Sequence, residues 1–275
     1  MTYAWEDHVP QLMQLGLEGL AIVCGGAAVL WLVSLATEDA SIADRFWGVG
    51  FVVLAAYYAS RGWGWPPRAM LVLALTAVWG LRLSLHIHLR NRGKPEDPRY
   101  ARWREAGGDR YWLTQLFKVF LLQALLMWVI AAPLLIGQTA PAPDRLTAFD
   151  LLGAAIWLVG FASEAVGDAQ LAAFKKDPAN EGRVLSTGLW RYTRHPNYFG
   201  DSLIWWGLFV VAAGVPGGFW TVFSPILMTW LLVRVSGVRL LEESLRESRP
   251  EYADYVARTS SFLPRRPRDR EAGRA

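Results

Sequence analysis

GLWRYTRHPNYFGD occupies residues 188–201 and is followed directly by the apolar run SLIWWGLFVVAAG at residues 202–214. The first stretch brings arginine, histidine, asparagine and aspartate together with four aromatic side chains. Charged groups are costly at membrane depth unless they face a protein-lined or water-filled cavity. The stretch therefore predicts a polar site at the start of a membrane-seeking helix.

The composition is that of an integral membrane protein. The chain has 275 residues, of which 53% are hydrophobic, with 15 tryptophans and a mean hydropathy of +0.20. Its net charge of +4 comes from basic residues in the loops between apolar runs, a pattern that indicates membrane topology and not a nucleic-acid partner. Cys24 has no second cysteine to pair with, so an intrachain disulfide is excluded.

The apolar runs predict an all-α, integral membrane bundle of transmembrane helices. A spanning helix needs about 20 mainly apolar residues. We read seven apolar runs as spans, at residues 12–36, 46–60, 69–89, 112–137, 149–174, 197–214 and 220–237, of which the second is short at its core. We expect one domain over residues 1–264, followed by a basic C-terminal tail at residues 265–275. The loops after the third and fifth spans and the C-terminus are the most basic, which predicts that they are cytoplasmic.

The second half of the fifth predicted span carries acidic residues. Glu164 and Asp168 are four residues apart and so share one helix face, and Lys175 follows near the same face. A solvated helix end would also explain them. We favour a functional polar face, because residues 188–201 lie one loop away and supply complementary cations.

Together these residues suit a nucleotide cofactor that enters from the cytoplasm. Arginine and lysine bind phosphates, carboxylates suit ribose hydroxyls or an amide, and aromatic rings can stack on a planar base. The cofactor-binding candidates are Arg92, Lys94, Glu164, Asp168, Lys175, Arg183, Arg191, Tyr192, Arg194, His195, Asn197, Tyr198, Asp201, Arg234, Arg239 and Glu242.

Several other chemistries lack their sequence patterns. There is no Gly-x-Gly-x-x-Gly after a strand, no phosphate-binding Walker loop and no Gly-x-Ser-x-Gly elbow. His86 and His88 are two residues apart and point to different sides of a helix, so we predict no metal site.

Residues 188–201, with the preceding Gly167-Asp168 and the later Ser236-Gly237, resemble bacterial membrane proteins of the steroid 5α-reductase superfamily, in a branch long catalogued as a domain of unknown function. The segment from Asn197 to Asp201 is also similar to sterol C14- and Δ7-reductases. This resemblance implies a seven-helix bundle in the bacterial inner membrane, with NADPH in its cytoplasmic half. It also implies a lipid or steroid substrate that enters from the bilayer, and we expect a monomer surrounded by membrane lipids.

The resemblance also implies roles for individual residues. Asn197 and Asp201 match the positions that line the nicotinamide end of the cofactor. Asp168 and Lys175 match an aspartate and a basic residue of the preceding helix. Arg92 and Lys94 match a basic pair near the phosphates, and Arg234 matches an arginine of the last span.

The substrate end departs from the steroid enzymes. They place a Gln-Glu pair in the second span and a tyrosine in the third, and neither is found here. The catalytic candidates are Tyr58 and a protonated Asp44, either of which would donate a hydrogen bond to the substrate carbonyl.

The expected activity is reduction by NADPH of the C=C bond of an α,β-unsaturated carbonyl lipid, such as a 3-oxo-Δ4-steroid. One alternative is methyl transfer from S-adenosylmethionine, because the run Arg191–Gly200 and the later Glu242, Tyr252 and Tyr255 are also similar to isoprenylcysteine carboxyl methyltransferases. Another is a non-catalytic lipid-binding protein. Asn197 with Asp201 favours the reductase.

Overall fold

A computed structural model describes residues 5–235, 237–238, 242, 245–246 and 249–268. Within these residues the backbone is helical and contains no strand, so the all-α prediction is confirmed for the described part of the chain. The helices that we number are α1 Val9–Thr37, α2 Ile42–Arg45, α3 Trp47–Arg61, α4 Pro66–Asn91, α5 Pro98–Gly107, α6 Tyr111–Gln115, α7 Leu122–Ile130, α8 Ala132–Thr139, α9 Ala148–Lys176, α10 Pro196–Ala213, α11 Phe223–Trp230 and α12 Tyr252–Arg258.

In the part of the chain that the structure describes, five helical segments are long and apolar enough to cross a membrane, so the prediction of seven spans is not confirmed. They are Val9–Thr37, Pro66–Asn91, Pro98–Ile130, Ala148–Lys176 and Gly218–Val235. The other two predicted spans are helical, as α3 and α10. At 15 residues α3 rises about 22 Å, which is less than the ~30 Å hydrocarbon core. The first turns of α10 carry Asn197 and Asp201, which lower its hydropathy.

The fourth predicted span is divided in the structure. It contains a π-helix over Leu116–Leu121 between α6 and α7, and it breaks at Ala131 before α8. Pro133 explains the break, since proline has no N–H and its ring clashes with the carbonyl four residues earlier. Short π segments inside helices are frequent at functional sites.

The described residues form two compact units. Unit 1 comprises those within Met1–Leu151 and Phe209–Ser224, and unit 2 those within Leu152–Leu208 and Pro225–Ala275.

In unit 1, α3 and α4 touch backbone to backbone. A Cβ atom added at Gly48 would lie 2.2 Å from the carbonyl oxygen of Gly80. This close approach buries Phe51 and Trp79 completely, with their rings 5.7 Å apart. The two glycines thus set the spacing of the helix pair.

A buried ion pair joins the start of α4 to the start of α9 within unit 1. Arg68 and Asp150 are 0% and 1% exposed, and Arg68 Nε donates to Asp150 Oδ1 at 2.8 Å. The same guanidinium donates to the carbonyl oxygens of Pro143 and Arg145. Asp150 also accepts from the backbone N–H and the hydroxyl of Thr147. These contacts compensate for the burial of both charges.

In unit 2, α9 and α10 run antiparallel with their backbones in contact at glycines spaced by seven. An added Cβ at Gly200 would lie 2.5 Å from the oxygen of Gly160, and one at Gly207 would lie 2.6 Å from the oxygen of Gly153. A spacing of seven returns to almost the same helix face after two turns. The glycines therefore let the backbones of α9 and α10 touch along one face of each helix, which brings the polar halves of the two helices together.

Candidate functional site

The structure brings four predicted residues together where α9 meets α10: Glu164 and Asp168 from α9, and Asn197 and Asp201 from α10. We call them the carboxylate–amide cluster. Glu164, Asp168 and Asp201 are 2%, 6% and 7% exposed, and Asn197 Nδ2 donates to Asp168 Oδ1 at 3.1 Å. Each helix contributes two side chains four residues apart, and the glycine contact at Gly200 makes the pairs face each other.

Asn197 offers a buried acceptor. Its Oδ1 is inaccessible to solvent and has no hydrogen-bond donor among the described residues. A buried carbonyl oxygen without a partner costs about 1–3 kcal/mol. A ligand N–H at this position would remove that cost, so the cluster has one acceptor ready for an amide.

A second group of predicted residues lies in the same unit and consists of Arg194, His195 and Glu242. We call it the Arg–His–Glu cluster. Glu242 Oε1 accepts from Arg194 Nε at 2.9 Å and from His195 Nε2 at 3.2 Å. Burial alone would raise the pKa of Glu242, but the hydrogen bonds from His195 and Arg194 outweigh it and hold the pKa below its ordinary value. The His195 ring also stacks on Tyr198 with centroids 5.6 Å apart.

Arg194 forms its hydrogen bonds with other residues of this protein. Its remaining guanidinium N–H groups reach the carbonyl oxygens of Val256 and Thr259, and its backbone N–H donates to the oxygen of Ser260. The side chain is 7% exposed. It therefore positions the loop before α10, and the prediction that it binds a cofactor directly stays a prediction.

The segment after α12 is a part of the site that the sequence analysis did not assign. Thr193 Oγ1 donates to the oxygen of Phe262 at 2.8 Å, and the N–H of Arg265 donates to the oxygen of Tyr192 at 2.9 Å. From α12, the hydroxyl of Tyr255 donates to the oxygen of Trp190. The tyrosines were visible in the sequence, but their spacing does not indicate which loop they bind.

Most other predicted cofactor residues are exposed. In unit 2 these are Lys175, Arg183, Arg191, Arg234 and Tyr192, and in unit 1 they are Arg92 and Lys94. Arg239 and residues 269–275 lie outside the described residues. The side chains of these exposed cations contact solvent.

The two catalytic candidates lie in unit 1. Tyr58 is 1% exposed and packs on α1, where an added Cβ at Gly19 would lie 2.3 Å from its hydroxyl oxygen. Asp44 accepts from Tyr100 Oη at 2.7 Å and from Arg99 at 2.9 Å. Asp44 thus acts as an acceptor here, whereas the sequence analysis expects a protonated donor; that role stays a prediction.

We expect Glu242→Gln to remove a pH-dependent part of the stability. Because the pKa of Glu242 in the folded protein lies below the ordinary 4.5, its stabilisation is complete above that pH and is lost as the pH falls below it. The variant should be less stable than the wild type at pH 7 by about 1.5–3 kcal/mol, the value of hydrogen bonds to charged groups. Thermal unfolding of the purified protein at a series of pH values measures the difference, which should shrink on acidification. A constant difference would contradict the assignment, and the exposed Glu181→Gln is the control.

Helices long and apolar enough to span a membrane, together with buried polar clusters, are typical of a helical membrane protein with an internal polar site. Residues 30–259 match the sequence profile of DUF1295, described as a protein of unknown function. The chain belongs to this family. The match includes both clusters and most of each unit.

Two curated proteins illustrate the relationship. An uncharacterized protein of Schizosaccharomyces pombe is 29% identical over 269 residues, covering 86% of this chain and 76% of its own length. A probable O-methyltransferase of Ustilaginoidea virens is 33% identical over 79 residues, covering 29% of this chain and 26% of its own length. No solved structure matches significantly.

Proposed function

We propose that this protein is a membrane-embedded, NADPH-dependent reductase of the C=C bond in an α,β-unsaturated carbonyl lipid, such as a 3-oxo-Δ4-steroid. The observation that carries the proposal is the buried Oδ1 of Asn197, which has no hydrogen-bond donor among the described residues and belongs to the carboxylate–amide cluster. The resemblance of residues 188–201 to the steroid 5α-reductase superfamily supplies the reaction class.

The residues present suit the parts of NADPH. The nicotinamide ring carries a carboxamide, whose N–H would satisfy Asn197 Oδ1. Glu164, Asp168 and Asp201 suit ribose hydroxyls as acceptors. The exposed cations of unit 2 suit the phosphates, since arginine binds phosphate in a bidentate manner and lysine as a point charge.

Each group has a defined role in this proposal. NADPH, when bound, supplies the hydride for the β-carbon of the substrate. Asn197 orients the carboxamide, and Asp168 fixes the orientation of Asn197 through the 3.1 Å hydrogen bond. Arg194 and Glu242 hold the loop that leads into α10. A hydrogen-bond donor must also stabilise the substrate oxygen as negative charge develops on it.

The membrane arrangement is part of the proposal. We propose that α3 and α10 join the five longer segments in a seven-helix bundle of a bacterial inner membrane, with the basic loops and the cofactor site on the cytoplasmic side. The length and the apolar composition of the helices support a membrane protein. The distribution of lysine and arginine supports the orientation.

We expect NADPH to raise the unfolding temperature of the purified protein and Asn197→Ala to abolish that shift. A ligand at 100 times its dissociation constant stabilises the folded state by about 2.7 kcal/mol. Asn180→Ala is a matched control, because Asn180 is also an amide of unit 2 but bonds to the Phe174 oxygen outside the clusters. Unfolding followed by intrinsic fluorescence in detergent measures the shift.

Methyl transfer is the second candidate, favoured by the partial match to a probable O-methyltransferase. The same unfolding assay separates the two. Stabilisation by S-adenosylmethionine without any response to NADPH would replace the reductase proposal by the methyltransferase. No response to either would favour a non-catalytic lipid-binding protein.

A further inference from the structure

Unit 1 contains a cavity that the clusters of unit 2 do not explain. It lies between α1, α3 and the segment formed by the π-helix and α7, and it has a volume of about 340 Å³. Ligand pockets in proteins range from about 300 to 1,000 Å³. The cavity is therefore large enough for a small lipid or a steroid-sized molecule.

The cavity walls are mainly apolar, and the cavity opens on the outer side surface of the helices. The lining residues Val29, Phe46 and Val53 are 59%, 45% and 43% exposed; Val29 lies on α1, Val53 on α3, and Phe46 in the turn between α2 and α3. In a membrane protein such a surface faces hydrocarbon. A molecule dissolved in the bilayer can therefore enter the cavity without crossing water.

Gln123 gives the cavity its one polar side chain among the residues that line it. Its Nε2 donates to Tyr100 Oη at 3.3 Å, and Tyr100 in turn donates to Asp44 at 2.7 Å. Arg99 pairs with Asp44 at 2.9 Å. The chain of hydrogen bonds fixes one N–H of the Gln123 amide, and the second N–H and the Oε1 have no partner among the described residues.

The lining also restricts the charge of an occupant. No charged side chain lines the cavity. A phosphate or carboxylate inside it would be desolvated without a counter-ion, which is strongly unfavourable. An occupant must therefore be neutral, and an oxygen function on it gains a hydrogen bond only near Gln123.

We propose that this cavity binds a neutral, largely apolar lipid with a single oxygen function, and that Gln123 binds that oxygen. The carbonyl of an enone fits this description, because the free N–H of Gln123 can donate to it. Gln123 and Tyr100 then act as positioning residues, with Tyr100 holding the amide in place. The proposal that a neutral lipid binds here is based on the geometry of unit 1 alone. The further statement that this lipid is the substrate rests on the proposed function.

Two neighbouring glycines of α1 provide a matched pair of variants. Gly26 lines the cavity, Gly25 does not, and an added Cβ at either would meet no heavy atom within 4 Å. Gly26→Phe therefore fills the cavity, while Gly25→Phe adds the same ring outside it. The probe is radiolabelled androst-4-en-3-one, measured in lipid nanodiscs without NADPH. We expect Gly26→Phe to lose specific binding and Gly25→Phe to retain it; equal binding by both would overturn the proposal.

Gln123→Leu tests the polar end and remains decisive if Gly26→Phe does not fold. Androst-4-ene has the same ring system without the ketone. The wild type should prefer androst-4-en-3-one by about tenfold, as expected for one hydrogen bond, and Gln123→Leu should bind both probes equally. An unchanged preference in Gln123→Leu would contradict the role of Gln123. This binding assay contains no cofactor. Steroid binding by a protein that shows no NADPH response would therefore contradict the reductase proposal and support the proposed lipid site.

Discussion

Arg68→Leu is expected to lower the free energy of unfolding by about 3–5 kcal/mol, the cost of removing one partner of a buried ion pair. The change leaves Asp150 as a buried charge at 1% exposure. It also removes the donors to the carbonyl oxygens of Pro143 and Arg145, which hold the connection between α8 and α9. Denaturant-induced unfolding in detergent micelles measures the loss.

Two comparisons show whether the loss comes from the unpaired charge. In Arg68→Leu with Asp150→Leu both charges are gone, so the double variant should recover part of the lost stability. Arg45→Leu removes a partly exposed pair with Asp39 and should cost no more than about 1 kcal/mol. If the Arg68 and Arg45 variants lose similar amounts, the buried pair does not have the importance that we assign to it.

Gly200→Ala is expected to destabilise unit 2 by about 1–3 kcal/mol or more, because one methyl group has no space between the helices. The added Cβ would lie 2.5 Å from both the backbone nitrogen of Glu164 and the oxygen of Gly160. These are backbone atoms and cannot rotate away, so α10 must move from α9. That movement should lengthen the bond between Asn197 and Asp168 and abolish any cofactor response. Thermal unfolding with and without NADPH measures both effects.

The sign of the effect distinguishes steric contact from helix propensity. Alanine is favoured over glycine inside a helix by about 1 kcal/mol. Gly25→Ala, at a position with no atom within 4 Å, should therefore be neutral or stabilising. A stabilising Gly200→Ala would show that α9 and α10 do not touch at this point.

The helices were predictable because apolar runs of this length have few alternatives to a helix. The count of seven spans is not confirmed, because residues 46–60 are apolar but number only 15, and α3, which they form, has 15 residues as well. Residues 112–137 were predicted as one span, although Pro133 lies within them. The π-helix at Leu116–Leu121 has no such marker, because it depends on the packing of the whole segment.

The carboxylate–amide cluster was predictable in its members. Spacing by four placed Glu164 and Asp168 on one face, and the same rule holds for Asn197 and Asp201. The partners of Arg194, in the Arg–His–Glu cluster, were harder to predict. No local sequence pattern indicates that the oxygens of Val256 and Thr259 bind Arg194. Long-range pairings of this kind depend on the fold, and one sequence does not record them.

The network at Asp44 shows the same limit. The sequence marked Asp44 as a group of chemical interest, yet its partners Arg99 and Tyr100 come from a loop whose only evident feature in the sequence is its charge. That loop contains α5, whose start is capped by Asp97. Gln123 lies within an apolar run, and nothing in the sequence indicates a role for it. Only the structure shows that it lines a cavity.

The pairing of Thr193 with Ser260 has a consequence for biosynthesis. A ribosome releases the loop before α10 well before it releases the segment after α12. During that interval the acceptors at Thr259 and Ser260 do not yet exist, and Arg194 has no backbone carbonyl to bind. The helices can therefore enter the membrane before the polar site closes. A nascent chain that stops before Thr259 would be inserted but would leave this loop without its support.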